Sequence, residues 1–324
     1  MIVREYKSGD ETSITELFLI ASPRHLRNQV YWKWSNLWNP NGKSLSLVVE
    51  EENEIIAHYS ILPYKINVDN AVVLGGLAQQ AVVHPFFRNL KVFISLTDKV
   101  WEKAVGKFQF IYGFPSNDKI LTMYQMLMNF KKIDEFLADV ISIPTVIKVL
   151  KYNSFQRFTI KRINKFPLEI NKWLNKNKNN KIYPLKSAEL LNWRFFAHPL
   201  HYYFVFGVFD DEIMVGYMVF KIYWDGKQTI GHFIDFDVKN NNEEYLLSLT
   251  EHVSLFSMRC KITNIVFWNK QSECSDIFNQ FGIKKGGFKI NFCIKFLNNK
   301  IRKKNKLLLD KSKWSFTMAS TDAF

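Results

Sequence analysis

The chain states one pattern twice. Trp34-Ser35-Asn36-Leu37-Trp38-Asn39-Pro40 returns as Trp193-Arg194-Phe195-Phe196-Ala197-His198-Pro199, with Trp and Pro six residues apart in each copy. Sixteen residues after each Pro an apolar pair opens a polar or aromatic break: Ile56-Ala57-His58-Tyr59 and Val215-Gly216-Tyr217-Met218. These matches share an offset of 159 residues. Toward the end of each copy Leu127-Met128-Asn129-Phe130-Lys131-Lys132 aligns with Gln280-Phe281-Gly282-Ile283-Lys284-Lys285, now 153 apart. A repeat this long is a duplicated domain and not a solenoid, whose periods run about 20–50 residues. In a chain of 324 residues it predicts two domains, each long enough to bury a core.

A hydrophobic fraction of 47% excludes global disorder. The net charge of +14 has two readings, a polyanion or membrane-surface partner and a coding bias. Lys outnumbers Arg 35 to 9, and Asn and Ile are abundant. Nucleic-acid recognition favours Arg, so the bias is the better reading. Cysteines at 260, 274 and 293 form no CxxC, and the seven histidines form no HxxxH. Neither a disulfide framework nor a metal site is expected. The N-terminus lacks an apolar signal region, and no apolar run approaches about 18 residues. A soluble cytoplasmic protein is the expectation.

Periodicity and turn chemistry predict the elements. Ile2 to Tyr6 reads as a strand and Asp10 to Ile20 as a helix, with Asp10 and Thr12 as caps. Tyr31 to Trp34 lies on a second helix that ends before Asn39-Pro40. Hairpin turns are expected at Glu51-Glu52-Asn53-Glu54 and at Asp69-Asn70. Leu77 to Val83 reads as a strand, Phe86 to Ala104 as a helix, Phe108 to Phe114 as a buried strand and Asn117 to Met128 as a helix. Lys161 to Lys181 carries seven basic residues against Glu169 and reads as a solvated linker, not a core element. Beyond Tyr183 come strands at Tyr203 to Phe209, Ile213 to Tyr223, Gly231 to Val238 and Ile262 to Trp268, with helices at Glu243 to Met258 and Ser272 to Phe281. The shared order predicts α/β domains built on mixed sheets. The expected units are a first domain at 1–145, a basic linker at 146–182, a second domain at 183–298 and a basic tail at 299–324.

The stretch Ala81-Val82-Val83-His84-Pro85-Phe86-Phe87-Arg88 closes a strand and opens a long helix. It resembles the cofactor motif of the GNAT acyltransferases, V-x-P-x-x-R followed by R-x-x-G-x-G/A. Asn117, Tyr124 and Phe130-Lys131 resemble the family's N-x-x-A-x-x-x-Y-x-x-x-G-F ending, with Asn129 at the glycine position. The resemblance implies two tandem GNAT-like domains, each a mixed twisted sheet flanked by helices, the second the more degenerate. It implies acetyl-CoA or another acyl-CoA as donor, and a small-molecule amine as acceptor. Its pyrophosphate would meet helix-terminal N–H groups at Arg88, Asn89, Leu90, Lys91, Val92 and Phe93. Pantetheine would run along Val82, Val83 and His84, near Asn117. Tyr124 would protonate the leaving thiolate. Lys91 and Phe93 stand where the family has glycine, which admits a closer backbone approach to phosphate. In the second copy Asp237-Val238-Lys239-Asn240-Asn241-Asn242 replaces the motif and Asp276 replaces Tyr124, so the first copy should hold the cofactor.

Single residues divide between chemistry and structure. Asp235, between Ile234 and Phe236 on a strand, is either a base or a paired structural carboxylate. His84 reads as a turn residue, His58 as core or surface, and Trp34 and Trp193 as fillers of equivalent cores. The lysines between Lys300 and Lys313 read as a solvated end. The leading expectation is an N-acyltransferase. Tandem members with a Trp-x5-Pro element resemble enzymes of bacterial surface-polysaccharide biosynthesis, which suggests an amino-sugar acceptor. The alternatives are a non-catalytic protein of the same fold and a peptidyltransferase resembling the FemAB group. Only the latter brings a nucleic-acid partner, an aminoacyl-tRNA.

Overall fold

The computed structural model describes residues 1–324 except 24–26, 151–157, 177–179, 225, 271–274, 298–305 and 322–324, and except the side chains at 275 and 276. The first elements are β1 (Ile2–Glu5), α1 (Asp10–Ala21), α2 (Gln29–Asn36), β2 (Leu45–Glu51), β3 (Glu54–Val68), β4 (Ala71–Val83), α3 (Leu90–Ala104), β5 (Phe110–Gly113), α4 (Asp118–Met126), β6 (Lys131–Ser142) and α5 (Ile143–Leu150). There follow β7 (Thr159–Arg162), β8 (Tyr183–Pro184), α6 (Ala188–Phe195), β9 (Phe204–Asp210), β10 (Ile213–Trp224), β11 (Thr229–Val238), α7 (Glu243–Arg259), β12 (Asn264–Phe267), α8 (Ser275–Asn279) and β13 (Lys284–Phe296).

The strands join in one mixed sheet, ordered β1-β2-β3-β4-β5-β13-β6-β12-β11-β10-β9-β7, with β8 paired to β3. Side-chain alternation assigns the layers. Val48 packs with Ile14, Phe18 and Trp32 of α1 and α2. Its neighbours Leu47 and Val49 pack with Val92, Leu96 and Val100 of α3 and with Leu121 of α4. Across the sheet, α6 shares one core with Tyr217, Val219 and Ile234. Helices α5, α7 and α8 share another with Phe220, Phe233 and Phe236.

The strand order is palindromic about the β13–β6 pair. Each of these strands follows a left-handed residue, Asn129 (φ 53) before β6 and Gly282 (φ 65) before β13. Asn tolerates that conformation almost as glycine does, which explains how Asn129 holds a glycine position. Neither strand closes its own end of the sheet: β13 inserts between β5 and β6, and β6 pairs with β12.

Several expectations need correction. Asp10 does not cap α1, whose N-cap is Gly9; its carboxylate instead takes the guanidinium of Arg4 and the N–H of Lys7. The two expected hairpins share one 15-residue strand, β3, which runs from the first turn to the second through Pro63. The long helix opens at Leu90, after a 3-10 turn at Pro85–Phe87. The basic segment between Lys161 and Lys181 is not a solvated linker. Thr159–Arg162 pairs with β9 as the edge strand, and Phe166, Ile170, Trp173 and Leu174 are buried in the core beneath α6. The C-terminal tail is likewise no solvated end, because Leu308, Trp314, Phe316 and Met318 are buried; Lys300 to Lys304 lie outside the described residues. Lysine-rich composition masked the buried residues of both segments, spaced three or four apart from Phe166 to Trp173. Trp34 and Trp193 do not fill separate cores. They stack on each other, ring centroids 4.4 Å apart and planes 13° apart. Each indole N–H donates to the other's backbone carbonyl, at 3.0 and 3.1 Å.

Candidate active site

The parallel pairing of β4 with β5 is brief. It spans Gly75–Phe110, Gly76–Ile111 and Leu77–Tyr112, after which β4 runs on to Val83 with no β5 partner. The sheet forks there. On its other edge β4 carries a bulge, since His58 faces Val82 but Ser60 faces Gln79. Gln80 in the bulge is left-handed (φ 56). Below the fork His58 is fully buried, and burial pushes its imidazole down to about 4, so it is neutral at pH 7. Nδ1 meets the Gln80 carbonyl at 3.1 Å, which assigns the proton to Nδ1 and leaves Nε2 to accept from Ser46 Oγ at 2.9 Å. The Gln80 amide group is fixed in turn by Asn36 and Ser35 of α2. A buried polar network therefore rigidifies the bulge. Sequence reasoning missed it, because its members are scattered over α2, β2, β3 and β4.

Tyr124 stands at the fork. A Cβ on Gly113, the last residue of β5, would lie 3.2 Å from the Tyr124 hydroxyl and 3.5 Å from Ala78 of β4. Glycine at 113 is what lets the phenol rest on the strand end. The Asn117 side chain caps α4 by accepting from Ile120 N–H at 2.9 Å. The positions expected to meet a pyrophosphate divide. Asn89 caps α3 by accepting from Val92 N–H, His84 accepts from Phe86 N–H, and Val92 is buried in the core with Phe93 packed beside it. Arg88 donates to the carbonyls of Val83 and Ala21, tying the loop to the end of α1. Leu90 and Lys91 are exposed in the first turn of α3, which contains no acid. Val82 and Val83 are half-buried beside the fork. The 15-residue helix α3 thus presents its positive end unopposed.

A second fork lies between β11 and β12, which pair only from Gly231–Ile265 to Phe233–Phe267. Here the gap is filled. Phe316 N–H donates to the Lys270 carbonyl at 3.3 Å, and Thr317 Oγ1 donates to Asp235 at 2.8 Å. Asp235 is 1% exposed and also accepts from Lys186 at 2.8 Å and from Tyr217 at 2.7 Å. It is a paired carboxylate, the structural alternative of the two. The first turn of α7 holds Glu243 and Glu244, which oppose an anion at that helix end. Asp276 belongs to α8, but its side chain lies outside the described residues. Between α6, the 183–186 strap and the C-terminal segment runs a cleft of about 910 Å³, counted with the solvent at its mouth; Tyr64, Tyr183, Trp193, Phe195 and Phe316 contribute to its walls.

No protein-family model and no curated protein sequence matches the chain. Solved structures do. A GCN5-related N-acetyltransferase from Anabaena variabilis ATCC 29413 superposes with a TM-score of 0.66 at 11% identity, over 92% of this chain and 73% of that one. A probable N-acyltransferase of unknown function from Enterococcus faecalis V583 gives 0.69 at 11% identity, over 94% and 74%. The Saccharomyces cerevisiae N-myristoyltransferase with bound myristoyl-CoA gives 0.58 at 10%, over 90% and 78%. The fold is that of the GCN5-related N-acetyltransferases. Within the GCN5-related fold of this chain, the two forks are the places where the sheet opens at the start of a long helix. Among the described residues no three His, Cys, Asp or Glu side chains are grouped to hold a metal ion. No helix among them is long and apolar enough to cross a membrane.

Proposed function

We propose that the chain is a tandem of two GNAT-like domains that transfers an acyl group from acyl-CoA to a primary amine, with the donor in the first fork. The observation that carries this reading is the contrast between the forks. The first has Tyr124 at its tip and an acid-free helix end beside it; the second is filled by the C-terminal segment and flanked by Glu243 and Glu244. Pantetheine would extend the free edge of β4 beyond Leu77, and the pyrophosphate would meet the exposed N–H groups of Leu90 and Lys91, with the Lys91 ammonium beside them. The amine nitrogen attacks the thioester carbonyl and gives up its proton to solvent, the C–S bond breaks, and the thiolate takes the Tyr124 proton, which solvent then restores. Asp235, wrapped by Lys186, Tyr217 and Thr317, fastens the C-terminal segment. The acceptor would enter by the aromatic cleft, whose stacking walls suit an amino sugar of surface-polysaccharide synthesis.

A second reading, an acyl-CoA-binding protein without turnover, is favoured by one observation: the Arg88 guanidinium is spent on two backbone carbonyls. Equilibrium binding of acetyl-CoA and longer acyl-CoAs, followed by free-thiol release in the presence of a panel of amines, separates the two. Binding with thiol release supports the transferase, and binding without it across the panel supports the second reading. Absence of binding by every acyl-CoA removes both.

A further inference from the structure

Away from both forks, cationic and imidazole side chains gather where α6, its following loop, β10 and β11 meet. Lys221 of β10 is the direct cross-strand partner of His232 of β11. Its ammonium lies 5.8 Å from the centre of the Tyr203 ring. His198 and His201 stack at 4.6 Å, and both rings contact Tyr203, at 5.8 and 6.3 Å. Arg194 of α6 adds positive charge from below, with Tyr31 and Trp34 of α2 against His198 and Tyr223 against His232. Among the described residues Lys221 takes part in no ion pair. Two backbone N–H groups, of Leu200 and His201, donate to His198 Nδ1. The His198 proton therefore sits on Nε2, an atom that is buried and meets no acceptor in a residue only 7% exposed. A buried donor left without an acceptor is destabilising, so its retention calls for a partner. The repeat offers no precedent, because Asn39 and Leu62 stand at the positions of His198 and Lys221.

We propose that Lys221, His198, His201 and His232 form a binding site for the oxyanion of a small ligand, a phosphate or a carboxylate. The ammonium supplies charge, the His198 Nε2–H a directed donor, and the half-buried His201 and Lys221 the route from solvent. The protonation states fit an anion that brings in protons. Burial and Arg194 lower Lys221 to about 8, so it is largely charged at pH 7. Burial first, then neighbouring cations, hold His198 at about 2 and His201 at about 4; burial and Lys221 hold His232 at about 4. All three imidazoles are neutral at pH 7. An anion stabilises the protonated forms, so its affinity rises as pH falls below 7 and drops above 8 as Lys221 loses its proton.

The test follows histidine side-chain nitrogens by NMR while inorganic phosphate and, separately, acetate are added to the full chain. Saturable shifts at His198 and His201, at least about tenfold weaker in Lys221→Gln and restored in Lys221→Arg, are expected. Whichever anion binds more tightly names the ligand class. His201→Asn provides a second variant should Lys221→Gln not fold, and the same weakening is expected of it. No saturable shift with either anion, or equal shifts in wild type and both variants, would reduce the cluster to packing.

Discussion

Tyr124 is the residue on which the proposed transfer depends. Its hydroxyl rests on the end of β5 only because Gly113 has no side chain. Tyr124→Phe keeps the ring packed on Phe130, 4.6 Å away, and removes the proton. Turnover should fall by about 10²–10⁴-fold with acyl-CoA affinity held, as read from single-turnover and binding measurements. Unchanged turnover with chemistry rate-limiting would take Tyr124 out of the mechanism. A separate residue ties α1 to α2. Burial would raise the Glu11 carboxyl, but hydrogen bonds from Lys33, from backbone N–H groups and from Tyr6 outweigh it and bring the group to about 2. A depressed carboxylate stabilises the fold fully above its unfolded value near about 4.3. That stability is lost as pH falls toward about 2. Melting temperature should therefore drop across that window, and drop less in Glu11→Gln. The resemblance to the GNAT ending singled out Tyr124, and a mid-strand position singled out Asp235, but neither reading reached their partners. Lys186 and Thr317 lie 49 and 82 residues from Asp235, and no local pattern marks a residue such as Gly113, which matters by what it leaves room for.

At the scale of elements, helices and hairpins were legible and the sheet's closure was not. Left-handed Glu52-Asn53 and Asp69-Asn70 make the two tight hairpin turns that the sequence called for. α4 and α7 fall within two residues of their expected bounds, and α2 contains the expected Tyr31 to Trp34 stretch. The strands β6 and β13 escaped because their partners lie in the opposite part of the chain, and pairing at such separation leaves no periodic signal beyond the strand itself. The same holds for the C-terminal segment, whose buried Trp314, Phe316 and Met318 sit within a lysine-rich context. The Trp34–Trp193 stack joins α2 to α6 through two reciprocal hydrogen bonds and a face-to-face contact. Trp34→Ala removes a buried ring, its stack on Trp193 and its indole N–H bond, while leaving the Trp34 carbonyl that Trp193 bonds, and should cost about 3–5 kcal/mol in chemical denaturation. Trp193→Ala should cost a similar amount, and the double variant clearly less than the sum, since the two rings are each other's partner. Additive losses would mean that the rings act separately.

For the whole molecule, the exchange of β6 and β13 couples what the repeat presents as two units. Residues 1–145 alone would leave β6 without β12 and β13, and β5 with an open edge. We expect that fragment to aggregate or to lack the sharp melting of the full chain, and co-expression with 146–324 to restore it; cooperative folding by itself would argue that each unit closes independently. The coupling also gives the two forks different fates, one left open and the other filled by the C-terminal segment. Amide hydrogen exchange of the full chain with and without acetyl-CoA tests that asymmetry most directly. Slowed exchange is expected at residues 78–93 and 117–124, with residues 234–243 unchanged. Protection at 234–243 with none at 78–93 would contradict it.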